Sequence, residues 1–378
     1  MLRRSFLAGL AGAAALASAA RAQQAPAPAA GGGAAAPAAP AAPAAPAAPL
    51  VLRPGAKRIA IASGILPTEA MIEGNNGDPG MNAFLVELKA QGLVPGQDVA
   101  IERHSGAQWN TVRRLQGNRW NALGVTIAGT KPDVLFTTSS FVARGAATNP
   151  ETAPQTVVIL GDAAGTGLIT NMAKPGANMT GVSGSAGAAR EGMKIDLLKE
   201  AVPAAMRVAY LMKSQAISPT PWGQAQLAAA RAQRQGVTVT PAFIDDLLDD
   251  AGLDATAHLR ALLEAQRAGA QGLVVAEMLD LSEYSAMLGS YALAAKLPAI
   301  GSTRDFVVNG GLASYGANYN DMYKSAAQLV ARIVKGEKAG DIAVVQAQPE
   351  LVISQRNARH LGVTLPQPFV AKAKEVLM

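Results

Sequence analysis

Short apolar runs alternate with amphipathic stretches over most of this chain, and the alternation limits the folds open to it. The runs are rich in β-branched residues and continuous, as expected for parallel strands with helices on both faces. Strands are predicted at 58–63, 99–103, 133–139 and 156–160, then at 207–212, 236–240, 272–276 and 298–302. Helices are predicted at 81–91, 190–201, 224–235, 256–268 and 322–335. This order predicts an α/β protein with doubly wound parallel sheets.

The two series of strands predict two domains. Folding begins near Lys57, and the roughly 320 residues that follow are too many for one core. The break falls in a stretch at 176–189 where Gly, Ser and Ala accumulate. A late strand at 312–315 and its helix predict a return to the first domain, and a strand at 350–354 predicts another crossing. The predicted domains are therefore residues 56–181 with 311–345, and residues 182–310 with 346–378.

The N-terminus has the pattern of a secretory signal. Arg3 and Arg4 precede a weakly apolar run that is too short to span a bilayer comfortably, and the small residues around Arg21 predict cleavage before Gln23. The adjacent arginines followed by Ser-Phe-Leu predict export by the twin-arginine route. The alternative is an ordinary Sec signal that contains two arginines by chance. Either route predicts a periplasmic protein with residues 1–22 as its signal peptide.

Residues 23–55 form a linker composed almost only of Ala, Pro and Gly. Such a stretch has too little bulky apolar surface to offset the entropy of ordering it. Frequent Pro makes it an extended, semi-stiff spacer. If the signal stayed uncleaved, the linker would hold the folded part away from the membrane.

Composition excludes several classes of protein. The chain has no Cys, so it has no disulfide framework, no Cys-ligated metal and no lipidated Cys at its mature N-terminus. Signal cleavage removes three of the 33 basic residues and leaves 30 basic against 27 acidic residues, too balanced to indicate nucleic-acid binding. No later stretch is long and apolar enough to predict stable membrane insertion. We expect a monomer.

Short motifs follow one another in a fixed order from the middle of the chain to its end. They are Lys131-Pro132-Asp133-Val134, Gly165-Thr166-Gly167-Leu168, KPGANMTGV at 174–182, Leu197-Leu198-Lys199-Glu200, Leu297-Pro298-Ala299-Ile300, Arg304-Asp305-Phe306, GGLASYGAN at 310–318 and Leu361-Gly362-Val363-Thr364-Leu365-Pro366. Their order and spacing resemble the ABC-transporter substrate-binding family, whose characterised members bind aromatic amino acids. The resemblance runs from about Gly92 to the C-terminus.

The resemblance implies a type I periplasmic-binding-protein fold in which three segments cross between the domains. It also implies a small-molecule solute as ligand, with an ABC permease and its ATPase as partners. The sequence departs from the family in lacking the lipidation Cys that many members carry. Its first strand–helix loop, at 64–80, is also long and unlike that of the family, in which this loop helps to form the ligand site.

Loops at the carboxyl ends of the first-domain strands supply one half of the predicted ligand site. The candidates are Ile65, Thr68, Thr138, Ser139, Ser140 and Asp162. The three residues at 138–140 precede a helix, where hydroxyl groups, free N–H groups and the helix dipole favour a ligand carboxylate. They would serve equally well as a helix cap without a ligand. Asp162 would accept hydrogen bonds from a ligand ammonium, or cap the segment that begins at Ala163.

The second domain supplies the other half of the predicted site. The candidates are Ser185, Lys213, Ser214, Glu277, Arg304 and Asp305. Arg304 would clamp a carboxylate with two hydrogen bonds, or pair with Asp305 or Glu277 and lock the domain interface. Tyr315 is expected to pack at the hinge between the domains.

Motifs for catalysis, metals and cofactors are weak. The Gly-rich segment at 161–167 matches neither a dinucleotide fingerprint nor a Walker loop. His104, His258 and His360 share no metal-ligand spacing. The segment at 181–185 misses the nucleophile-elbow pattern by one residue. We therefore expect no catalytic residue, no cofactor and no metal.

The sequence is most consistent with a periplasmic receptor that closes on a small polar or amphipathic solute, an amino acid or organic acid, and delivers it to an ABC importer. A second possibility is a ligand-sensing module for a membrane signalling protein. A third is a secreted enzyme on a similar scaffold.

Overall fold

The computed structural model describes residues 52–107, 113–161, 163, 166–184, 187–213, 221–231, 236–244, 255–277 and 284–378. These residues form two β-sheets that pack against helices. The described helices are α1 (Pro79–Ala90), α2 (Arg113–Gly129), α3 (Ser140–Ala146), α4 (Ala189–Ala201), α5 (Pro221–Arg231), α6 (Ala255–Arg267), α7 (Ser285–Ala294), α8 (Arg304–Val308), α9 (Tyr319–Val334), α10 (Gln355–Leu361) and α11 (Gln367–Val370). No helix among these residues is both long and apolar enough to span a membrane.

The first sheet is parallel throughout the described strands. It consists of β1 (Lys57–Ser63), β2 (Val99–Ser105), β3 (Val134–Thr137), β4 (Gln155–Leu160), β5 (Met179–Ser183) and β11 (Val345–Gln346). Their order is β11-β5-β4-β3-β1-β2. Because parallel strands run in one direction, their carboxyl ends lie along a single edge of the sheet.

Strand β1 shows how the first sheet is covered on both faces. Ile59 and Ile61 point to one face and pack in a core with α1 and α9. Ala60 and Ala62 point to the other face and pack with α2 and α3. Alternate residues of a strand face opposite ways, so a strand buried on both sides is apolar at every position. This explains why continuous apolar runs predicted strands β1 to β4 of the first sheet.

The second sheet is parallel except for one pair. It consists of β6 (Arg207–Lys213), β7 (Thr238–Ile244), β8 (Gly272–Val275), β9 (Ala299–Gly301), β10 (Ala313–Ala317), β12 (Pro349–Ser354) and β13 (Glu375–Leu377). Their order is β13-β12-β10-β9-β8-β6-β7, and β10 pairs with β12 in antiparallel fashion. Helix α4 packs against β8 and β9 of this sheet.

The chain passes between the two sheets at three places. The first passage leads from β5 to α4 and β6, the second from β10 to α9, and the third from β11 to β12. Helix α9 belongs with the first sheet, since it packs against α1 and against β3, β4 and β5. The predicted α/β architecture, with two parallel sheets joined by three crossovers, is confirmed.

The sequence predicted that the chain returns to the first domain at residue 311. This prediction is wrong for the first strand of that segment. That strand is β10, and its residues Ala313 and Ser314 pair with Ile300 and Gly301 of β9 in the second sheet. The chain returns to the first sheet only with α9. A buried strand is equally apolar in either sheet, so its composition does not specify which neighbour it will join.

Single residues explain one strand prediction that differs from the structure and one strand that was not predicted. The strand predicted at 236–240 is β7, which continues through Pro241 to Ile244. Pro lacks an N–H group and predicts the end of a strand, but β7 is an edge strand, where such a residue is tolerated. Strand β5 lies within the predicted break at 176–189 and was not predicted, because Gly181 weakens its strand pattern. A Cβ at this position would overlap the carbonyl oxygen of Val158 in β4, so the close strand approach requires glycine.

Candidate functional site

The first passage between the sheets brings together carboxyl ends of strands from both. Gly184 directly follows β5, and its N–H donates to the carbonyl oxygen of Leu160 in β4 at 2.7 Å. Nη1 of Arg190 donates to the carbonyl oxygen of Gly184 and, at 2.8 Å, to Oε1 of Glu277, which lies just beyond β8. One guanidinium group therefore joins the carboxyl edge of the first sheet to that of the second. Ligands of open α/β sheets bind at such edges.

Arg190 belongs to a group of buried charged residues that we call the α4 cluster: Arg190, Glu191, Lys194 and Glu277. Their exposed fractions are 3%, 1%, 0% and 6% respectively, so these residues are almost inaccessible to solvent. Buried charges are costly unless they are paired and hydrogen-bonded. Opposite charges on neighbouring side chains satisfy most of this requirement, and Nη2 of Arg190 is the donor of the cluster without a partner among the described residues.

Lys194 uses all three of its N–H donors. Its Nζ donates to the Glu191 carboxylate at 3.1 Å, to the carbonyl oxygen of Val275 at 3.1 Å, and to Oγ of Ser302 at 2.8 Å. Val275 ends β8, and Ser302 follows β9. Lys194 thus fixes α4 to the carboxyl ends of two adjacent strands of the second sheet.

Glu191 is the acceptor at the centre of the cluster. It receives hydrogen bonds from Lys194, from the hydroxyl of Tyr210 at 2.8 Å, and from the backbone N–H of Glu277 at 3.2 Å. Burial, followed by the nearby charge of Glu191, raises the pKa of Tyr210 well above its usual value. Tyr210 therefore stays neutral, and its O–H group donates the hydrogen bond to Glu191. The bond to the N–H of Glu277 holds the segment that carries the partner of Arg190.

Hydroxyl groups line the carboxyl ends of β1 and β3 in the first sheet. Oγ of Ser63 accepts hydrogen bonds from the N–H groups of Ile65 and Leu66 at 3.2 and 3.0 Å. The hydroxyl of Thr138 donates to the same Oγ at 3.4 Å. These contacts bring the predicted residues Ile65 and Thr138 to the same place, although they are far apart in sequence.

Ser139 has the capping role that was one of its two predicted alternatives. Its Oγ accepts a hydrogen bond from the N–H of Val142 at 3.4 Å and caps α3. Ser140, the first residue of α3, is half-buried beside it. Thr68 lies in a short 3-10 turn, and its hydroxyl donates to Oε1 of Glu69 at 3.1 Å.

The alternative in which Arg304 pairs with Asp305 or Glu277 is wrong. Its guanidinium group forms two hydrogen bonds with the carboxylate of Glu375, at 2.8 and 2.7 Å. Glu375 begins the short strand β13, which the apolar pattern did not predict. Both Arg304 and Asp305 are exposed in the first turn of α8.

Four other predicted site residues lie wholly or partly outside the described part of the chain. Asp162, Ser185 and Ser214 lie outside the described residues. Lys213 ends β6, and only its backbone is described. A ligand role for these residues, and for Thr68, Arg304 and Asp305, stays a prediction.

Sequence reasoning missed Arg190, Glu191 and Lys194. All three lie in the first two turns of α4, where charged residues usually indicate a solvent-facing helix surface. A usable signal was their position directly after the Gly- and Ser-rich break. A helix that begins at a crossing between sheets has its first turn next to strand ends rather than to open solvent.

Two cavities in the described part of the chain lie away from this junction. One, of about 210 Å³, is lined by residues such as Lys57, Val134 and Gln155 at the amino ends of first-sheet strands. Another, of about 360 Å³, runs beside β6, β7 and α6. Neither is lined by Arg190 or Glu277. The candidate site is described by its polar contacts.

Two α/β sheets with three passages, and a polar junction at their carboxyl edges, define a type I periplasmic binding protein. Residues 87–377 match the family model for the ABC transporter substrate binding protein. The chain belongs to this family of solute-binding receptors, whose members are typically extracytoplasmic. A search of curated proteins finds no significant match.

Solved structures share the fold at low sequence identity. A conserved domain protein from Vibrio cholerae is 20% identical, with a TM-score of 0.66 over 85% of this chain and 99% of that one. A protein from Streptococcus pneumoniae in complex with L-Trp is 18% identical, with a TM-score of 0.67 over 85% and 100%. A ligand-free, open substrate-binding protein with adhesive properties from Clostridium difficile is 18% identical, with a TM-score of 0.59 over 85% and 99%.

Proposed function

We propose that this protein is an exported receptor that closes on a small polar or amphipathic solute, an amino acid or a related organic acid. The receptor then delivers the solute to an ABC permease and its ATPase. One observation carries the proposal: the guanidinium group of Arg190 joins Gly184, at the carboxyl edge of the first sheet, to Glu277 at that of the second. A solute bound at this junction contacts both halves of the molecule at once.

The solute favours closure of the two lobes because some of its contacts form only in the closed state. A ligand shifts a conformational equilibrium by its difference in affinity for the two states. A solute that touches the hydroxyl groups near Thr138 and also the α4 cluster makes its full set of contacts only when the two edges approach each other. The closed form is then the form that the importer recognises.

The two lobes of this receptor follow sheet membership. The first lobe contains the first sheet with α1, α2, α3 and α9, and the second lobe contains the second sheet with the other described helices. Residues 1–22 direct export, with the adjacent Arg3 and Arg4 specifying the twin-arginine route, and the Ala/Pro-rich linker connects them to the first lobe.

Thermal-shift screening of the purified, exported protein tests the solute class. The panel contains the L-amino acids and small mono- and dicarboxylic acids, with neutral sugars as a contrasting class. A solute present at about 100 times its Kd stabilises the folded state by about 2.7 kcal/mol, which raises the melting temperature measurably. A rise with amino acids or organic acids supports the proposal. A rise with sugars alone, or with no compound in the panel, contradicts it.

A further inference from the structure

One donor of the α4 cluster differs from the others. Nη2 of Arg190 is buried, and it has no hydrogen-bond partner among the residues that the structure describes. Lys194, the other cation of the cluster, has all three N–H groups engaged. Buried polar groups are nearly always hydrogen-bonded, because a donor that loses water without gaining a partner destabilises the fold. This donor therefore requires an explanation.

Its position points to a ligand. The same guanidinium group contacts Gly184 after β5 and Glu277 after β8, so Nη2 lies where the two carboxyl edges meet. Thr138 follows β3, which is separated from β5 by β4 alone. Neighbouring strands are about 4.8 Å apart, so the hydroxyl groups near Thr138 lie about 10 Å along the edge from Gly184. That separation suits the two ends of a small solute.

The cluster holds the guanidinium group in place. Oε1 of Glu277 accepts a hydrogen bond from Nη1 of Arg190. The backbone N–H of Glu277 in turn donates a hydrogen bond to Oε1 of Glu191. Glu191 is fixed in turn by Tyr210 and Lys194. Arginine keeps its positive charge in proteins, so the open N–H groups of Nη2 are charged donors in a fixed direction.

We propose that Nη2 of Arg190 binds the carboxylate of the solute, and that Glu191, Lys194 and Tyr210 are positioning residues for this contact. The inference rests on the proposed function and deepens it by assigning the carboxylate to the second lobe rather than to Thr138, Ser139 and Ser140 at the start of α3. Hydrogen bonds between a guanidinium donor and a carboxylate are among the strong ones. Of the two cations in the α4 cluster, Arg190 is the one with an N–H donor that has no partner among the described residues.

A purely structural role for Arg190 is the alternative that the experiment must separate. Its bond to the carbonyl oxygen of Gly184 fixes the first passage to the second sheet, so any substitution of Arg190 could alter closure. Loss of a structural contact of this kind would lower the affinity for every solute equally. Loss of a carboxylate contact would lower the affinity only for solutes that carry the carboxylate.

The test pairs a substitution with a change in the probe. Calorimetry measures Kd for each L-amino acid or organic acid that stabilises the wild-type protein, and for its primary carboxamide, with wild type and Arg190→Gln. We expect Arg190→Gln to weaken binding of the acid about 30-fold, the cost of one hydrogen bond to a charged group. Binding of the carboxamide should change by less than about threefold in the same variant.

Equal weakening of the acid and the carboxamide by Arg190→Gln would overturn the inference and leave Arg190 as a lock between the sheets. Arg332→Gln is the matched control, because Arg332 is exposed on α9 and pairs with Glu337, away from the junction. If Arg190→Gln does not fold, Arg190→Lys takes its place, since it keeps the charge but loses the second nitrogen. The acid must then lose more affinity than the carboxamide, and equal losses again overturn the inference.

Failure of the proposed function has a different signature. In that case the wild-type protein binds none of the acids or amino acids, and the assignment of Arg190 falls with it. Binding by the wild type without selective loss in the Arg190 variants contradicts the inference alone.

Discussion

The hydroxyl of Tyr210 donates a hydrogen bond of 2.8 Å to Oε2 of Glu191, and both side chains are fully buried. Tyr210 lies in the middle of β6, whereas Glu191 lies in the first turn of α4. The bond therefore ties the second sheet to the helix that follows the first passage. It also supplies one of the donors that a buried carboxylate requires.

Replacing this hydroxyl tests how much the α4 cluster depends on it. We expect Tyr210→Phe to lower the free energy of unfolding by about 1 to 3 kcal/mol, because a buried carboxylate loses a donor. Urea denaturation followed by circular dichroism measures the change. Tyr291→Phe is the control: this partly buried tyrosine on α7 should change stability by no more than about 0.5 kcal/mol. Equal effects of the two substitutions would show that the hydrogen bond adds nothing.

Helix α4 shows what the sequence could predict and what it could not. Its position and length agree with the helix predicted at 190–201. Its buried face does not follow hydrophobicity: Met193 is 50% exposed, whereas the adjacent Lys194 is 0% exposed. Hydrophobic periodicity assigns Lys to solvent, and only a three-dimensional arrangement supplies the carboxylate and oxygen atoms that let Lys194 be buried.

Gly181 provides a test of close packing in the first sheet. A Cβ at this position would overlap the carbonyl oxygen of Val158, its partner in β4. We expect Gly181→Ala to destabilise the protein by about 1 to 3 kcal/mol, because strand backbones must shift to admit the methyl group. Thermal or urea unfolding measures the effect. A Cβ at Gly129, at the end of α2, meets no atom within 4 Å, so Gly129→Ala should leave stability unchanged or raise it.

The candidate site was less predictable than the fold because contacts across the chain decide it. Ile65 and Thr138 were predicted from strand ends, and both are joined through Ser63. The partner of Arg304 could not be predicted, since β13 has only three residues and pairs at the sheet edge with β12. Apolar patterns identify long buried strands. They do not identify short edge strands or the ion pairs that such strands bring together.

The proposed export signal gives a prediction that is independent of the folded part. Replacing Arg3 and Arg4 together with Lys should leave precursor in the cytoplasm, because the proposed twin-arginine signal depends on both arginines. Immunoblotting of cytoplasmic and periplasmic fractions measures the distribution. Arg21→Lys, which changes an arginine outside the pair, should be exported normally. Normal export of the double variant would instead indicate the Sec route.

The ion pair between Arg304 and Glu375 should make a small, pH-dependent contribution to stability. Hydrogen bonding to Arg304 holds the pKa of the Glu375 carboxyl below its ordinary value of 4.5. Because the unfolded chain binds this proton more tightly, the contribution is present above pH 4.5 and is lost as the pH falls through the lower, folded-state pKa. The side chains are 55% and 38% exposed, so we expect a coupling of only about 0.2 to 1 kcal/mol. A double-mutant cycle of Arg304→Gln and Glu375→Gln should show this coupling at neutral pH and a smaller one near pH 3. A coupling that does not change between these conditions would mean that Glu375 does not titrate with the pair.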